Sequence, residues 1–280
     1  NVPIGLLALI MGYRFLPANA GVREQRFDKL SGLLNAITFG LFFAALTGFA
    51  QGHAGWMIGL PLVLTIVVGW FFVRRQLDQP FPLLPIDLLR IPVFSLSIGT
   101  SVCSFAAQML AMVSIPFYFQ KTLGLSEIET GLLMTPWPLA TMVMAPIAGR
   151  LLDRVHAGLL GGIGLAIFAT GLFMLAALPQ EATHLEIMLR MLLCGAGFGL
   201  FQSPNNHTIL TAAPLERSGG ASGMLSTARL VGQTTGAALV ALSFNLFADN
   251  GTHASLIAAG SFACVAAIVS SLRMSQTPIR

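Results

Sequence analysis

The chain has 280 residues, is 55% hydrophobic and only 9% charged, and carries a formal net charge of +4. Soluble domains carry about 25% charged residues, so this composition excludes an ordinary soluble globular protein and leaves an all-α integral membrane protein. In such a chain basic residues do not point to nucleic acid; they are read by position, because Lys and Arg set orientation in a bilayer.

The first apolar run, Val2 to Tyr13, gives ~18 Å of helix against the ~30 Å of a bilayer core. It has neither the basic start nor the small-residue cleavage site of a signal peptide. Residues 1–29 therefore read as the end of a truncated spanning helix followed by a cytoplasmic loop, and the chain as a C-terminal fragment. Eight further apolar runs are long enough to span, at roughly 30–50, 54–73, 93–119, 130–148, 157–178, 187–212, 219–247 and 254–272. The first two, 30–73, form a hairpin closed by "AQGHAG". Residues 74–92, "RRQLDQPFPLLPIDLLRIP", carry four prolines and read as a cytoplasmic linker. Residues 93–272 hold six helices, and 273–280 are a cytoplasmic tail.

Alternating the loops between two sides sorts the basic residues. Arg14, Arg23, Arg26, Lys29, Arg74, Arg75, Arg90, Arg150, Arg154, Arg217, Arg273 and Arg280 fall on one side, and only Lys121 lies in the loops of the other. Arg190 sits just inside the membrane on that second side, and Arg229 lies within a segment. This split fits the positive-inside rule and predicts a cytoplasmic C-terminus. It also supports the segment count, since one wrong segment would scramble every later loop.

The short turn "GRLLDR", after "TGLLMTPWPLATMVMAPIA", resembles the second-half copy of the loop signature of the major facilitator superfamily. Gly149, Leu151, Asp153 and Arg154 match it, while His156 stands where a second Gly belongs and the following basic residues are missing. The opening "NVPIG" resembles the sixth helix of the fourteen-helix drug:proton antiporters, the QacA/EmrB type. "FQSPNN" and "SGGASGMLSTARLVGQTTGAAL" resemble that family's twelfth and thirteenth helices. In that family two extra helices separate two six-helix halves, which is the layout here. The resemblance implies the end of helix six, the extra hairpin, and the C-terminal six-helix half. It also implies a bacterial inner-membrane exporter of lipophilic or quaternary cationic compounds, methyl viologen among them, driven by protons. The N-terminal half of the same chain would then be missing. Gly149, Asp153 and Arg154 would bias one rocking state.

No acidic residue falls deep in a spanning segment. Proton-coupled transport needs a titrating group in the access path, so under the transporter reading that carboxylate belongs to the missing half. The deep polar residues are concentrated instead. Arg229 lies ~15 Å into its helix and Asn205 ~12 Å from the end of the preceding one, which gives them similar depth in antiparallel neighbours. Gln202, Asn206 and Gln233 flank them, and Gln108 and Trp137 are also deep. These seven residues are the candidate substrate cavity. A buried Arg needs partners, so helix-tying contacts compete with cavity lining as its role. Pro204 predicts a cavity-facing kink, and His207 beside it reads more simply as an interhelical hydrogen bonder than as a coupling group. The spacings Gly195/Gly199 and Gly232/Gly236 predict close helix crossings.

Cys103, Cys194 and Cys264 share no metal or redox spacing and read as small buried hydrophobes. No HExxH, paired-Cys or phosphate-binding Gly–Lys motif occurs, so no metal, cofactor or ATP motor is expected. "GASG" offers Ser222 as an intramembrane protease nucleophile, but the one later His, His253, lies a full span away and His207 reverses the chain order of that dyad. The chain is not read as an enzyme. The alternatives to export are a symporter for a polar or anionic nutrient, for which a deep Arg is a natural ligand, and a non-transporting remnant.

Overall fold

A computed structural model of the chain describes residues 2–15, 28–79, 82–179, 181–247 and 250–275. Arg23, Glu24, Arg26, Asp249, Arg280 and most of the expected tail lie outside them. The described residues are helical throughout, with no strand among them. The chain divides into two units, 1–30 and 31–280. The first contains α1 (Val2–Phe15), 14 residues with Arg14 in its last turn, which at ~1.5 Å per residue is short of a bilayer span.

In the second unit every expected apolar run forms a helix. α2 (Lys29–Ala50) and α3 (Gly55–Leu77) make the hairpin. Gly52 turns it at φ +66°, a left-handed conformation that glycine adopts without strain. At the hairpin's other end Gln76 donates to Ser31 Oγ at 2.8 Å and accepts from the Leu84 backbone at 3.0 Å. One buried amide thus joins both helices to the linker. Arg74 and Arg75 sit in the last turn of α3, where cations oppose the helix dipole, and Arg74 stacks over Trp70 at 4.6 Å.

The linker is built into the fold. Its 3-10 turn Ile86–Arg90 buries Leu88 against Phe94, Ile209, Met224 and Leu225. Asp87 accepts two hydrogen bonds from the Arg217 guanidinium, one of them at 2.9 Å. Arg217 holds the Asp87 carboxyl below its usual range, and Asp87 in turn raises Arg217. Both side chains are partly exposed, so the pair contributes no more than about 1 kcal/mol and acts chiefly to fix the linker's position.

The remaining helices are α4 (Pro92–Lys121), α5 (Glu127–Met134), α6 (Pro136–Leu151), α7 (Ala157–Ala176), α8 (His184–Ala212), α9 (Ser218–Leu246) and α10 (Gly251–Leu272). The expected single run 130–148 is broken at Thr135, because Pro136 and Pro138 carry no N–H. Leu132's carbonyl is recovered by the Thr135 N–H at 3.2 Å and Gly131's by the Thr135 hydroxyl at 2.8 Å. Counting α5 and α6 as one, seven spans are long and apolar enough to cross a membrane. α9 is long enough at 29 residues but is diluted by Arg229, Gln233 and its serines, threonines and glycines.

Side by side, the major helices follow the order α6, α8, α7, α10, α4, α9. Glycines set the spacing. A Cβ on Gly195 would lie 2.2 Å from the Trp137 carbonyl, and one on Gly199 2.9 Å from the Thr141 carbonyl, so α6 and α8 cross backbone to backbone. Gly232 and Gly236 stand equally close to the carbonyls of Val102 and Ala106, at 2.5 Å each, fixing α9 on α4. With little hydrophobic drive between helices in lipid, such close packing replaces it. Replacing Gly195 by Ala should therefore lower thermal stability by about 1–3 kcal/mol or prevent folding. Gly131→Ala, which meets nothing within 4 Å, should be neutral or stabilising when both are melted in the same detergent; equal melting would refute the crossing.

Candidate functional site

α6 and α9 stand at the two ends of that helix order, and a cavity of about 410 Å³ lies on the face between them. α4 supplies Phe105, Gln108 and Met112; α6 supplies Trp137, Pro138, Thr141 and Met142; α8 supplies Phe198 and Gln202; α9 supplies Arg229 and Gln233. Five of the seven residues expected from sequence thus meet here: Gln108, Trp137, Gln202, Arg229 and Gln233.

The backing of the cavity is a run of aromatic rings. Trp137 meets Phe168 edge-on at 5.5 Å, Phe168 meets Phe198 at 5.4 Å, and Phe198 meets Phe105 at 5.5 Å. The Arg229 guanidinium closes the series, 4.9 Å from the Phe105 ring centre. Edge-to-face contacts place the positive rim of one ring on the negative face of the next, and a cation on such a face is favourable for the same reason. Trp137 is 1% exposed and held by its own backbone: its carbonyl faces Gly195, and Thr141 Oγ1 donates to the Gly195 carbonyl at 3.0 Å.

Polar satisfaction in the cavity is incomplete. Trp137 Nε1 and Arg229 Nε are buried without a hydrogen-bond partner. Among the described residues Arg229 makes no ion pair, and no carboxylate lines the cavity. Arg229 therefore does not tie helices together through carbonyls or Asn side chains within these residues; its one ring contact is Phe105.

Asn205 goes elsewhere, although sequence gives it the same depth as Arg229. It is 1% exposed, donates to Ser101 Oγ at 2.7 Å and to the Ser97 carbonyl at 3.4 Å, and accepts from Arg273 at 2.7 Å. Arg273, expected in the exposed tail, is 2% exposed. It also donates to Ser97 Oγ at 3.0 Å, to the Ser270 carbonyl at 3.3 Å and to Ser270 Oγ, which itself donates to the Gly158 carbonyl at 3.1 Å. The reason is desolvation. A guanidinium withdrawn from water needs acceptors for its fork of donors, and Asn205 supplies one. This network joins α4, α7, α8 and α10 without a carboxylate among the described residues. Asn206 is half-buried and His207 exposed. Pro204 sits within a continuous α8 and is itself buried.

In "GRLLDR" Gly149 lies in the last turns of α6, facing Ser203 of α8, and Asp153 and Arg154 are exposed in the turn. His156 caps α7, accepting from the Gly158 N–H at 3.1 Å. That is what replaces the family's glycine there. At the other end of α7 two side chains serve terminal carbonyls, Arg190 at Met174 and His253 at Ala176, and Tyr118 donates to the Leu178 carbonyl just past the helix. His253 is thus held beyond the far end of α9 from Ser222, ~36 Å of helix, and the two form no dyad. Ser97, Ser101 and Arg273, and the rings Phe105 and Phe198, were not singled out by sequence. The Ser97/Ser101 spacing, one turn apart on one helix face, was the available clue to the first group.

Residues 2–237 match the Major Facilitator Superfamily, and the chain belongs to that superfamily. It is 65% identical to the uncharacterized transporter YebQ of Escherichia coli K12 over 277 residues, covering 99% of this chain and 61% of that protein. It is 29% identical to the multidrug resistance protein Stp of Mycobacterium tuberculosis over 247 residues, 86% of this chain and 45% of that one. It is 26% identical to the riboflavin transporter RibZ of Clostridioides difficile over 276 residues, 96% of this chain and 59% of that one. The chain thus spans roughly half to three-fifths of the length of these relatives.

Asn205→Ala should leave the Arg273 fork short of one acceptor and cost about 1.5–3 kcal/mol. In a double-mutant cycle with Arg273→Ala the two losses should be far from additive; additive losses, measured by melting in detergent, would dissolve the network.

Proposed function

We propose that these residues form the C-terminal half, with the preceding hairpin, of a proton-driven multidrug exporter of the fourteen-helix type. The observation that carries this reading is the cavity at the face between α6 and α9: an aromatic backing with a few amides around it. Such a lining holds flat lipophilic compounds of varied shape, since rings supply contact area at little entropic cost and Gln side chains serve as donor or acceptor. The name of Stp supports efflux, and that of RibZ supports transport of a flat heteroaromatic.

In this reading the helices of the N-terminal half of the whole protein close the open face and rock against this half. They also supply the proton-binding carboxylate, since none lines the cavity among the described residues. The end carrying Arg90, Arg150, Arg154 and Arg217 faces the cytoplasm of a bacterial inner membrane, together with the C-terminus. Gly149, Asp153 and Arg154 act at that end, where a turn of exposed charge meets the opposing half. A quaternary cation would meet the rings favourably but would need its counter-charge from outside this lining, because the charge here is that of Arg229. That same observation favours the second reading, transport of a polar or anionic nutrient.

Export is tested with the full-length protein produced in cells depleted of their own pumps. A panel of cationic, neutral and anionic fluorescent dyes is loaded and efflux followed. At least one dye should leave faster than in control cells, a protonophore should abolish the difference, and Trp137→Ala and Gln233→Ala should weaken it. Protein-dependent accumulation of substrate inside the cell would instead establish uptake.

A further inference from the structure

We infer that the cavity selects planar aromatic compounds bearing hydrogen-bond acceptors, anionic or neutral, over aromatic cations of the same size. The inference rests on the transport reading and names the chemical class of its substrate. It starts from an imbalance. Among the described residues Arg229 is the one charged side chain around the cavity, and it has no ion pair and no hydrogen bond there. Its Nε–H is buried without an acceptor, and so is the Trp137 Nε1–H. Both groups can only donate. The two residues come from opposite ends of the helix order, α6 and α9, and line the cavity from two walls.

The amides of Gln108, Gln202 and Gln233 are equally unengaged among the described residues, and each can turn either end toward a ligand. They do not oppose an acceptor. The fixed chemistry of the site is then a cation and an indole N–H without acceptors, set beside aromatic faces. Buried donors left unmatched are costly, so a ligand that brings acceptor atoms removes a penalty as well as making contacts. A carboxylate or conjugated carbonyl satisfies Arg229 and leaves a flat ring system to stack within the Phe105–Phe198–Trp137 frame. An aromatic cation gains the same ring contact but meets the guanidinium as a like charge and leaves both donors unmatched.

The test is calorimetric binding to the purified protein in lipid nanodiscs, with three probes of matched size: 2-naphthoate, 2-naphthamide and N-methylquinolinium. Naphthoate should bind about tenfold to a hundredfold tighter than methylquinolinium, the range given by one hydrogen bond to a charged group, with naphthamide between them. Arg229→Gln should remove most of the difference and Arg229→Lys should retain part of it. Trp137→Phe, which keeps an aromatic ring but loses the N–H together with part of the indole, should weaken both naphthoate and naphthamide, and it serves if Arg229→Gln does not fold. Equal or tighter binding of methylquinolinium, an order unchanged in the variants, or no saturable binding of any probe would overturn the inference. Neutralisation of Arg229 by a carboxylate from another part of the protein would give the first of these results. Dye export without the preference overturns this inference and leaves the transport reading standing; the preference without export in cells does the reverse.

Discussion

The contact on which the site depends is the approach of two helix backbones at Gly195. Trp137 brings its carbonyl to within 2.2 Å of where a Cβ would stand, a distance no other residue type permits. The approach presses α6 onto α8 and buries the indole to 1% exposure within the backing of the cavity. The twin prolines at 136 and 138 break the helix just before this point, so the local backbone is free to bend into the crossing. On the far side Gly232 and Gly236 do the same for α9 on α4. Two tight crossings hold the two outer walls, and the space between them is the cavity.

A second constraint works at the end where the loops carry the arginines. Arg273 lies just past the end of α10 and is almost fully buried, with four helices arranged around its donors and no carboxylate among them. Part of the charge is offset by position: the guanidinium sits at a helix C-terminus, where the carbonyl dipoles favour a cation. The network makes α4, α7, α8 and α10 one body at that end. The outer helices α6 and α9 are held by their glycine crossings instead.

Much of the architecture is legible in the sequence because a spanning helix is an unusually strong signal. Each of the eight apolar runs became a helix, with ends displaced by a few residues. The exceptions have local causes: the prolines split α5 from α6, and α9 carries enough polar residues to fall below ordinary membrane apolarity. Within the spans, Gln108, Gln202, Gln233 and Arg229 stood out because polar atoms are costly in lipid. Phe105 and Phe198 did not, since an aromatic residue has no contrast against an oily background. Asn205 stood out for the right reason, cost, but depth along a helix does not reveal which neighbour the side chain faces. Arg273 was hidden because a terminal Arg reads as a solvated anchor, and only tertiary packing shows its burial. The Asp87–Arg217 pair, 130 residues apart in the chain, leaves no trace in local sequence.

The central claim is that the face between α6 and α9 is a wetted transport cavity and not a surface turned to lipid. It is tested most directly by cysteine labelling in a chain with Cys103, Cys194 and Cys264 replaced. A membrane-impermeant maleimide should label Gln233→Cys from at least one side of the membrane and leave Ile163→Cys, on the exposed face of α7, unlabelled. Equal resistance of both positions from either side would contradict the account.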